Sequence, residues 1–288
     1  MKNYCFIVNP LSGGKDKKSI LKAISRLSFP HETVFTERPG HATQIAQSTD
    51  ADIVVAVGGD GTVSEVARGL IGTDKALGII PCGSGDGLAF HLGISRNPKK
   101  ALQVLQKGIT ATMDHGLVDD RPFFCTMGVG LDAEVAWQFG KAGKRGLWTY
   151  ISLAWRIWRH FTPETYTIDV DGEKLVTPAV FVTTGNANQW GNKARICSLS
   201  SIADGLLDLT IVKPFHTWEI PVLAIKLLTG YAHTSHRTQM LRGKRITIQR
   251  PLMGPAHYDG DPCMKGTEIT VEIVPAALRV VIPEGKKI

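Results

Sequence analysis

Short segments rich in apolar residues alternate with segments of helical periodicity over the first 107 residues of the chain. Such alternation predicts strands joined by helices, which produce a mostly parallel sheet with helices on both faces. The predicted strands are residues 4–8, 32–35, 53–57 and 76–80, and the predicted helices are residues 17–27, 42–47, 63–70 and 99–106. We therefore expect an α/β domain that binds ligands at the carboxyl ends of its strands.

The pattern changes after about residue 110, where many short segments are rich in Val, Ile, Thr and Phe. These segments predict a β-rich domain, an antiparallel sandwich, interrupted by helices at residues 147–161 and near residues 218–228. The predicted strands are residues 123–127, 165–170, 179–184, 207–212, 245–249, 267–274 and 278–282. We predict two domains, residues 1–112 and 113–288, and leave open that the last segment returns to the first domain.

One glycine-rich loop carries the clearest chemistry. The apolar residues 53–57 are followed at once by Gly-Gly-Asp-Gly-Thr at residues 58–62 and then by a predicted helix. Glycines after a strand let the backbone approach a phosphate, and the helix start offers free amides. Asp60 beside a phosphate indicates Mg²⁺ or a proton-accepting role. The alternative is a tight turn with a capping box from Thr62 to Glu65, which leaves the first three loop residues unexplained.

This loop resembles the one shared by diacylglycerol kinases, sphingosine kinases and NAD kinases. Further motifs favour the lipid-kinase branch and follow one another in that family's order. They are residues 9–14, 81–89, 128–135, 204–208, 259–261 and 274–278. Over essentially its whole length, the chain resembles the diacylglycerol and sphingosine kinase family, which includes bacterial proteins with a diacylglycerol kinase catalytic domain. The resemblance implies an α/β nucleotide-binding domain related to NAD kinase and a β-rich sandwich domain that binds lipid.

The resemblance implies an ATP-dependent lipid kinase, a phosphotransferase with an alcohol group as acceptor. Such an enzyme transfers the γ-phosphate of ATP, with Mg²⁺, to a hydroxyl of diacylglycerol, a sphingoid base, ceramide or a related lipid. An NAD kinase remains open as an alternative because it shares the loop. A non-catalytic nucleotide- or lipid-binding relative is also open, because Gly87 and Asp261 stand where family members carry an aspartate and a glutamate, respectively.

Roles for individual residues also follow from the resemblance. Asp60 and Asp261 are the candidate catalytic residues, and the shorter side chain of Asp261 favours Asp60 as the base. Asp132 is implied to lie near the lipid head group. The implied nucleotide-binding residues are Asn9, Ser12, Gly13, Thr36, Gly58, Gly59, Gly61, Thr62, Gly83, Ser84, Lys144 and Arg145. The implied ligands are Asp60, Asp86 and Asp114 for a catalytic Mg²⁺, and Ser201, Asp204 and Leu206 for a structural Mg²⁺, with a plain hairpin turn as the alternative.

The charge and composition of the chain restrict the classes of partner that we expect it to bind. The net charge of +7 favours anionic partners such as nucleotide phosphates or an acidic membrane surface. Basic residues are spread along the chain outside residues 15–18 and 141–145, so we expect no nucleic-acid partner. Five cysteines without a Cys-x-x-Cys pair indicate a reducing compartment, and the short apolar N-terminal segment indicates no signal peptide. We therefore expect a cytoplasmic protein, and the sequence does not indicate its oligomeric state.

Membrane contact is expected to be peripheral. No apolar run approaches the roughly 20 residues that a membrane-spanning helix needs. The predicted helix at residues 147–161 has one apolar face and a basic edge formed by Arg156, Arg159 and His160, a composition suited to anionic lipid. The family resemblance makes this helix a candidate wall of an acyl-chain pocket, whereas the simpler alternative is that its apolar face covers a sheet.

Overall fold

The computed structural model describes residues 2–12, 17–141, 147–286 and 288 of the chain. The chain divides into two compact units. The first unit consists of Met1–Asp114 and Ala276–Ile288, and the second consists of His115–Pro275. The boundary lies two residues after the predicted one, and the last segment returns to the first unit, which the sequence had left open.

A parallel sheet forms the centre of the first unit. Its strands are β1 (Tyr4–Val8), β2 (His31–Phe35), β3 (Ile53–Gly58) and β4 (Ala76–Pro81), in the order β2-β1-β3-β4. The end of the chain's last strand, which spans Glu268–Ile282, pairs in parallel with β4 through Arg279 and Val280. Every residue of β1, β3 and β4 is buried, as expected for strands covered on both faces.

Five α-helices lie in the described part of the first unit. They are α1 (Lys17–Ile24), α2 (His41–Ser48), α3 (Asp60–Leu70), α4 (Gly87–His91) and α5 (Pro98–Lys107). α5 begins where the side chain of Asn97 accepts hydrogen bonds from two backbone amides, and it ends at Lys107, before the C-cap residue Gly108. Gly69 lets α3 approach α2, because a Cβ atom there would lie 2.7 Å from the carbonyl oxygen of Thr43. The sequence did not predict α4, whose five residues are too few to show a helical period.

Antiparallel strands form most of the second unit. They are β5 (Ile109–Val118, which begins in the first unit), β6 (Arg121–Phe123), β7 (Thr126–Gly130), β8 (Glu164–Val170), β9 (Glu173–Ala179), β10 (Phe181–Gly185), β11 (Leu207–Val212), β12 (Thr238–Gly243), β13 (Arg245–Gln249), β14 (Gly254–Tyr258), β15 (Asp261–Lys265) and β16 (Glu268–Ile282). One sheet has the order β12-β11-β10-β7-β14-β15, and the other contains β16, β13, β8 and β9 in that order. Met127 and Leu209 from the first sheet and Ile168 and Ile248 from the second share one buried core, so the two sheets form a sandwich.

Among the residues of the second unit that the structure describes, three α-helices occur: α6 (Leu131–Lys141), α7 (Leu147–Trp158) and α8 (Ile220–Thr229). Phe181 and Val212 of the six-stranded sheet pack against Trp158 of α7 and Leu227 of α8. The outer face of that sheet is therefore covered by helices. Among the helices that the structure describes, none is long and apolar enough to cross a membrane.

Several predicted boundaries in the second unit are wrong for local reasons. The segment predicted as one strand at residues 123–127 is two strands, because the backbone amides at its middle bond to Asp259. Conversely, residues 267–274 and 278–282 belong to the single strand β16. The sequence missed α6 entirely. The second predicted helix begins as a 3-10 turn at Thr217–Glu219 and becomes α8 where Pro221 occupies the first helical turn.

Candidate functional site

Three loops leave the parallel sheet of the first unit at one edge. Val8 lies opposite Val57, and Gly58 lies opposite Pro81, so β1, β3 and β4 end at the same level. The strand ladder continues into the first loop, where the amide of Asn9 donates to the carbonyl oxygen of Val57 at 3.2 Å. Ligands of parallel α/β sheets bind at edges of this kind.

Two of these loops touch each other through bare backbone. A Cβ atom at Gly83 would lie 2.5 Å from the Cα of Gly59, which is in the other loop. Within residues 58–62, a Cβ atom at Gly58 would lie 2.4 Å from Oγ1 of Thr62. These distances are too short for any side chain, so the close approach requires glycine. Gly61 differs, because no described atom lies within 4 Å of the position its Cβ would take.

Asp60, the first residue of α3, joins the two loops. Its Oδ2 accepts a hydrogen bond from the amide of Asp86 at 2.8 Å, and its Oδ1 accepts one from the amide of Gly87 at 2.7 Å. The N-cap residue Gly59 has no side chain to cap the first turn of α3. The carboxylate therefore fixes one loop against the other beside a helix start that suits an anion.

Asp86 and Arg96 shape the loop after β4. Asp86 has a positive φ of 52°, and its Oδ1 accepts a hydrogen bond from the amide of Gly83 at 2.9 Å. Its Oδ2 accepts one from Nε of Arg96 at 2.6 Å, while Nη2 of Arg96 donates to the carbonyl oxygens of Ser84 and Gly85 at 2.7 and 3.2 Å. Sequence reasoning missed Arg96. A buried aspartate needs a cationic partner, and Arg96 follows Asp86 by ten positions, so the sequence could have suggested this pair.

Asn9 organises the loop after β1. Its Oδ1 accepts hydrogen bonds from the amides of Leu11 at 2.9 Å and Ser12 at 3.2 Å, while its Nδ2 donates to Oγ1 of Thr62 at 3.1 Å. The ammonium of Lys17 donates to the carbonyl oxygen of Asn9, and burial lowers the pKa of Lys17. Lys17 belongs to the first basic run of the sequence, but sequence reasoning gave it no role in the site.

The capping box considered from Thr62 to Glu65 is wrong. Because α3 begins at Asp60, Thr62 lies inside its first turn. The carboxylate of Glu65 instead accepts hydrogen bonds from the amides of Gly40 at 3.0 Å and Ala42 at 3.3 Å, at the start of α2. Glu65 therefore stabilises the neighbouring helix, and Thr62 is held by Asn9.

The remaining predicted residues of the first unit have different environments. Thr36 follows β2 and is buried, whereas Gly61 and Ser84 are exposed. Asp114 is buried on β5, where its Oδ1 accepts a hydrogen bond from the amide of Ala276 at 2.7 Å. Gly13, Lys144 and Arg145 lie outside the described residues.

The predicted ligands of a catalytic Mg²⁺ differ in how well they fit that role. In the part of the chain that the structure describes, no three His, Cys, Asp or Glu side chains are grouped closely enough to hold a metal ion. A nucleotide-bound Mg²⁺ needs only one or two carboxylates besides phosphate oxygens. Asp60 fits such a site, since it lies between the two glycine-rich loops. Asp86 fits less well, because the guanidinium of Arg96 already compensates its buried charge.

The second unit contains an apolar cavity of about 310 Å³ between α7, α8 and the six-stranded sheet. Its walls include Ala154 and Trp158 from α7, Leu223 and Leu227 from α8, and Phe181 from β10. A cavity lined almost wholly by hydrocarbon and aromatic groups suits an apolar ligand such as an acyl chain. Five residues of the helix predicted as a pocket wall thus form one side of the cavity: Tyr150, Ile151, Ala154, Trp155 and Trp158.

A buried polar cluster lies at the start of α6. Oδ2 of Asp132 accepts a hydrogen bond from Oγ1 of Thr183 at 2.9 Å and contacts Nε2 of His257 at 3.1 Å. Gly128 is required beside them, because its Cβ would lie 2.3 Å from Oδ2 of Asp132. The preceding residue, Leu131, lines the apolar cavity. Sequence reasoning found Asp132 but missed His257 and Thr183, which are distant in sequence.

Asp259 and Asp261 have different environments although they share one hairpin turn. Asp259 is buried, and its carboxylate accepts hydrogen bonds from the amides of Phe124, Cys125 and Thr126. Burial raises its pKa, and these amides oppose the increase. Asp261 is about half exposed and forms an ion pair with Arg121 at 3.3 Å.

The turn predicted to hold a structural Mg²⁺ already contains a protein cation. Oδ1 of Asp204 accepts a hydrogen bond from the amide of Leu206 at 3.1 Å, and its other oxygen accepts one from Arg242. Nε of Arg242 also lies 3.0 Å from Oδ1 of the buried Asp208. Burial lowers the pKa of Arg242, but the two carboxylates outweigh this effect and raise it. The metal at this turn stays a prediction.

Two family models match the chain. The diacylglycerol kinase catalytic domain matches residues 3–118, and the YegS C-terminal NAD kinase beta sandwich-like domain matches residues 125–282. Among curated proteins, a diacylglycerol kinase of Mycobacterium tuberculosis is 30% identical over 96% of this chain and 94% of its own length. A diacylglycerol kinase of Bacillus subtilis is 28% identical over 91% of this chain and 90% of its own length.

Solved structures share the fold. A protein described as a diacylglycerol kinase from Bacillus anthracis aligns with a TM-score of 0.75 at 19% identity, covering 98% of this chain and 97% of that one. An NAD kinase from Archaeoglobus fulgidus in complex with ATP aligns with a TM-score of 0.57 at 14% identity, covering 98% of this chain and 94% of that one. The predicted relation of the fold to NAD kinase is confirmed.

Proposed function

The chain belongs to the diacylglycerol kinase and YegS-like lipid kinase family and is a lipid kinase, and we propose that it transfers the γ-phosphate of ATP to the hydroxyl of a membrane lipid. The observation that supports this proposal most strongly is that Asp60 joins two glycine-rich loops through hydrogen bonds. Glycine backbone, a helix start and a carboxylate are what a nucleoside triphosphate with a divalent cation needs.

The nucleotide is proposed to bind at the carboxyl edge of the first unit's sheet. The backbone at Gly58 and Gly59 and the start of α3 would contact the phosphates, while the loop around Gly83, whose amides bond to Asp86 and Asp60, forms the wall beside them. Asn9 and Thr62 hold the first loop in place beside them. The fold shared with an NAD kinase solved in complex with ATP supports ATP as the donor.

We propose that Asp60 accepts the proton of the acceptor hydroxyl and binds Mg²⁺. The acceptor oxygen bonds to the γ-phosphorus as the bond to the β-phosphate oxygen breaks, and the hydroxyl proton passes to the Asp60 carboxylate. Mg²⁺, when bound, neutralises phosphate charge, and Asp60 is the carboxylate best situated to hold it. Asp261, exposed and paired with Arg121, is the second candidate base.

The acceptor is proposed to be a lipid whose acyl chain occupies the apolar cavity of the second unit. Diacylglycerol is the first candidate, because relatives 28–30% identical over nine-tenths of the chain carry the name diacylglycerol kinase. The cavity itself selects an apolar chain and not a particular head group. The buried carboxylate of Asp132, directly after the cavity residue Leu131, is proposed to lie near the head group.

One experiment tests both donor and acceptor. Purified protein is incubated with Mg²⁺ and γ-labelled ATP in separate reactions with diacylglycerol, a sphingoid base, ceramide and NAD, and the products are separated by chromatography. We expect label in a lipid product, first with diacylglycerol, and none in NAD. Label in NAD alone, or in no acceptor, would contradict the proposal.

A further inference from the structure

The outer face of the six-stranded sheet changes from apolar to polar one row of side chains beyond the cavity. Phe181 of β10 and Val212 of β11 lie opposite each other, and both line the cavity. Side chains two positions apart on a strand point to the same face, so the next row on that face contains Thr183 opposite Thr210. The two rows are about 7 Å apart along the strands. A polar row therefore adjoins the apolar cavity.

His257 belongs to the same polar row. Gly128 of β7 lies opposite Thr183 on one side and opposite His257 of β14 on the other. Because Gly128 has no side chain, the carboxylate of Asp132 fits beside it and contacts both neighbours. The row thus holds a buried carboxylate between a threonine hydroxyl and an imidazole ring.

Two residues of the cavity wall connect the cavity to this carboxylate. Leu131 directly precedes Asp132 in the chain and lines the cavity. Tyr150 lines it from α7, and burial raises the pKa of its phenol. The negative charge of Asp132 raises that pKa further. The charge of the polar row therefore acts on a wall of the cavity.

Nδ1 of His257 is a buried polar atom that the contacts of the row leave unused. The carboxylate of Asp132 already accepts hydrogen bonds from Oγ1 of Thr183 and the amide of Ala133. It is an acceptor for Nε2 of His257 as well, so that nitrogen carries a proton and Nδ1 of the neutral ring is an acceptor. Among the residues that the structure describes, Nδ1 has no hydrogen-bond partner. A ligand that supplies a donor would remove the penalty of an unpaired buried acceptor.

We propose that His257 determines head-group specificity, with its Nδ1 accepting a hydrogen bond from a free hydroxyl of the lipid whose acyl chain occupies the cavity. This inference rests on the proposed function, which assigns the cavity to the acyl chain. Asp132 orients the imidazole ring through Nε2 and fixes which nitrogen faces the lipid. The site then selects an apolar ester with a free hydroxyl over the same ester without one.

Lipid binding without ATP tests this contact. Trp155 and Trp158 line the cavity, so the intrinsic fluorescence of the full-length protein reports binding there. The probes are dioctanoylglycerol and the dioctanoyl ester of propanediol, which has a hydrogen atom in place of the free hydroxyl. We expect the unmodified protein to bind the first about tenfold more tightly, because only the first donates to Nδ1. Equal binding of the two esters, or binding of neither, would overturn the inference.

Two substitutions separate ligand binding from a structural role. The amide of His257→Gln replaces Nε2 and can still contact Asp132, whereas the amide of His257→Asn replaces Nδ1. We expect His257→Gln to bind both esters equally, within about twofold, and His257→Asn to keep a preference for the hydroxyl. A preference retained in His257→Gln would overturn the inference, since His257 would then act only by supporting Asp132. His160→Gln makes the same change at an exposed position and should leave the preference intact.

Nitrogen NMR of the unmodified protein, labelled at histidine, gives a second readout if the variants fold poorly. Dioctanoylglycerol should shift one Nδ1 resonance that the propanediol ester leaves in place, and identical spectra with the two esters would overturn the inference. Phosphorylation assays then separate it from the proposed function. Phosphorylation of diacylglycerol without a binding preference for the hydroxyl would overturn the role of His257 alone. Preferential binding without phosphorylation of any lipid would contradict the proposed function while supporting the contact at Nδ1.

Discussion

The two candidate binding regions of this lipid kinase differ in the atoms that form them, which are backbone atoms in the first unit and side chains in the second. The phosphate region of the first unit consists of backbone, with glycines at contacts where a Cβ atom would lie as close as 2.4 Å to another residue. The cavity of the second unit consists of side chains, nearly all apolar, contributed by two helices and one sheet. One region uses directional hydrogen bonds, and the other uses non-directional burial.

This difference determines how each region tolerates change. A hydrogen-bonded loop loses its geometry when one atom is added or one charge is removed, because its contacts have defined distances and angles. An apolar cavity adapts to similar ligands, because burial depends on area and volume. We therefore expect steep effects of small substitutions in the first unit and graded, ligand-dependent effects in the second.

The largest effect is expected from Asp60→Asn. The amide keeps one oxygen for the loop amides but removes the charge that a base or a metal ligand needs, so the kcat of lipid phosphorylation should fall about 10³-fold. Steady-state kinetics with labelled ATP measure it. Asp50→Asn, which makes the same change at an exposed position, is the control and should retain full activity. A loss of less than about tenfold in Asp60→Asn would move the proton transfer to another residue.

Filling the cavity should have the next largest effect. Ala154→Trp places a large ring among the cavity walls, so kcat/KM for a long-chain lipid should fall about 10- to 100-fold, with little change in KM for ATP. Comparing substrates of increasing acyl length gives the measurement. Ser152→Trp puts the same ring on an exposed position of α7 and should leave chain-length preference intact. Uniform losses at every chain length would refute the acyl assignment.

Gly83→Ala should affect the first unit alone. Its new methyl group would lie 2.5 Å from the Cα of Gly59, so the loops must separate, and KM for ATP should rise about tenfold. The free energy of unfolding should fall by about 1–3 kcal/mol in urea titrations. Gly61→Ala adds its methyl group where no described atom lies within 4 Å and serves as the stability control. Equal effects of the two variants would show that the contact between the loops is unimportant.

The smallest effect is expected from Thr183→Val. The substitution removes one hydrogen bond to the buried carboxylate of Asp132 and leaves the contact with His257. Unfolding free energy should fall by about 1–2 kcal/mol, while KM for ATP stays unchanged. Denaturant unfolding and steady-state kinetics measure the two quantities. A changed KM for ATP with unchanged stability would contradict the assignment of this cluster to the lipid region.

The sequence predicted those features that arise from local pattern. β11 and β13 were predicted with their observed bounds, and β3 within one residue, because their apolar runs end at polar residues or glycine. The residues of the phosphate loop followed from glycine placement after β3. The short helix α4 and the helix α6 were missed, since neither has a clear apolar period.

Contacts between distant residues could not be predicted from local pattern. Asp60 binds amides twenty-six and twenty-seven positions later, and Asp132 contacts His257 across 125 positions. The bond from Glu65 to the start of α2 shows the same limit, because sequence spacing alone favoured a local cap. The exposure of α8 was also hidden, since its apolar sequence is equally typical of a buried helix.

Hydrogen–deuterium exchange measures directly which of the two regions each ligand protects. Mass spectrometry would follow backbone amides in free protein, with Mg²⁺ and a non-hydrolysable ATP analogue, and with long-chain diacylglycerol. We expect the nucleotide to slow exchange at residues 58–62 and 83–87, and the lipid to slow it at Leu147–Trp158 and Ile220–Thr229. Nucleotide protection confined to the helices of the second unit, or lipid protection confined to the glycine-rich loops, would contradict this expectation.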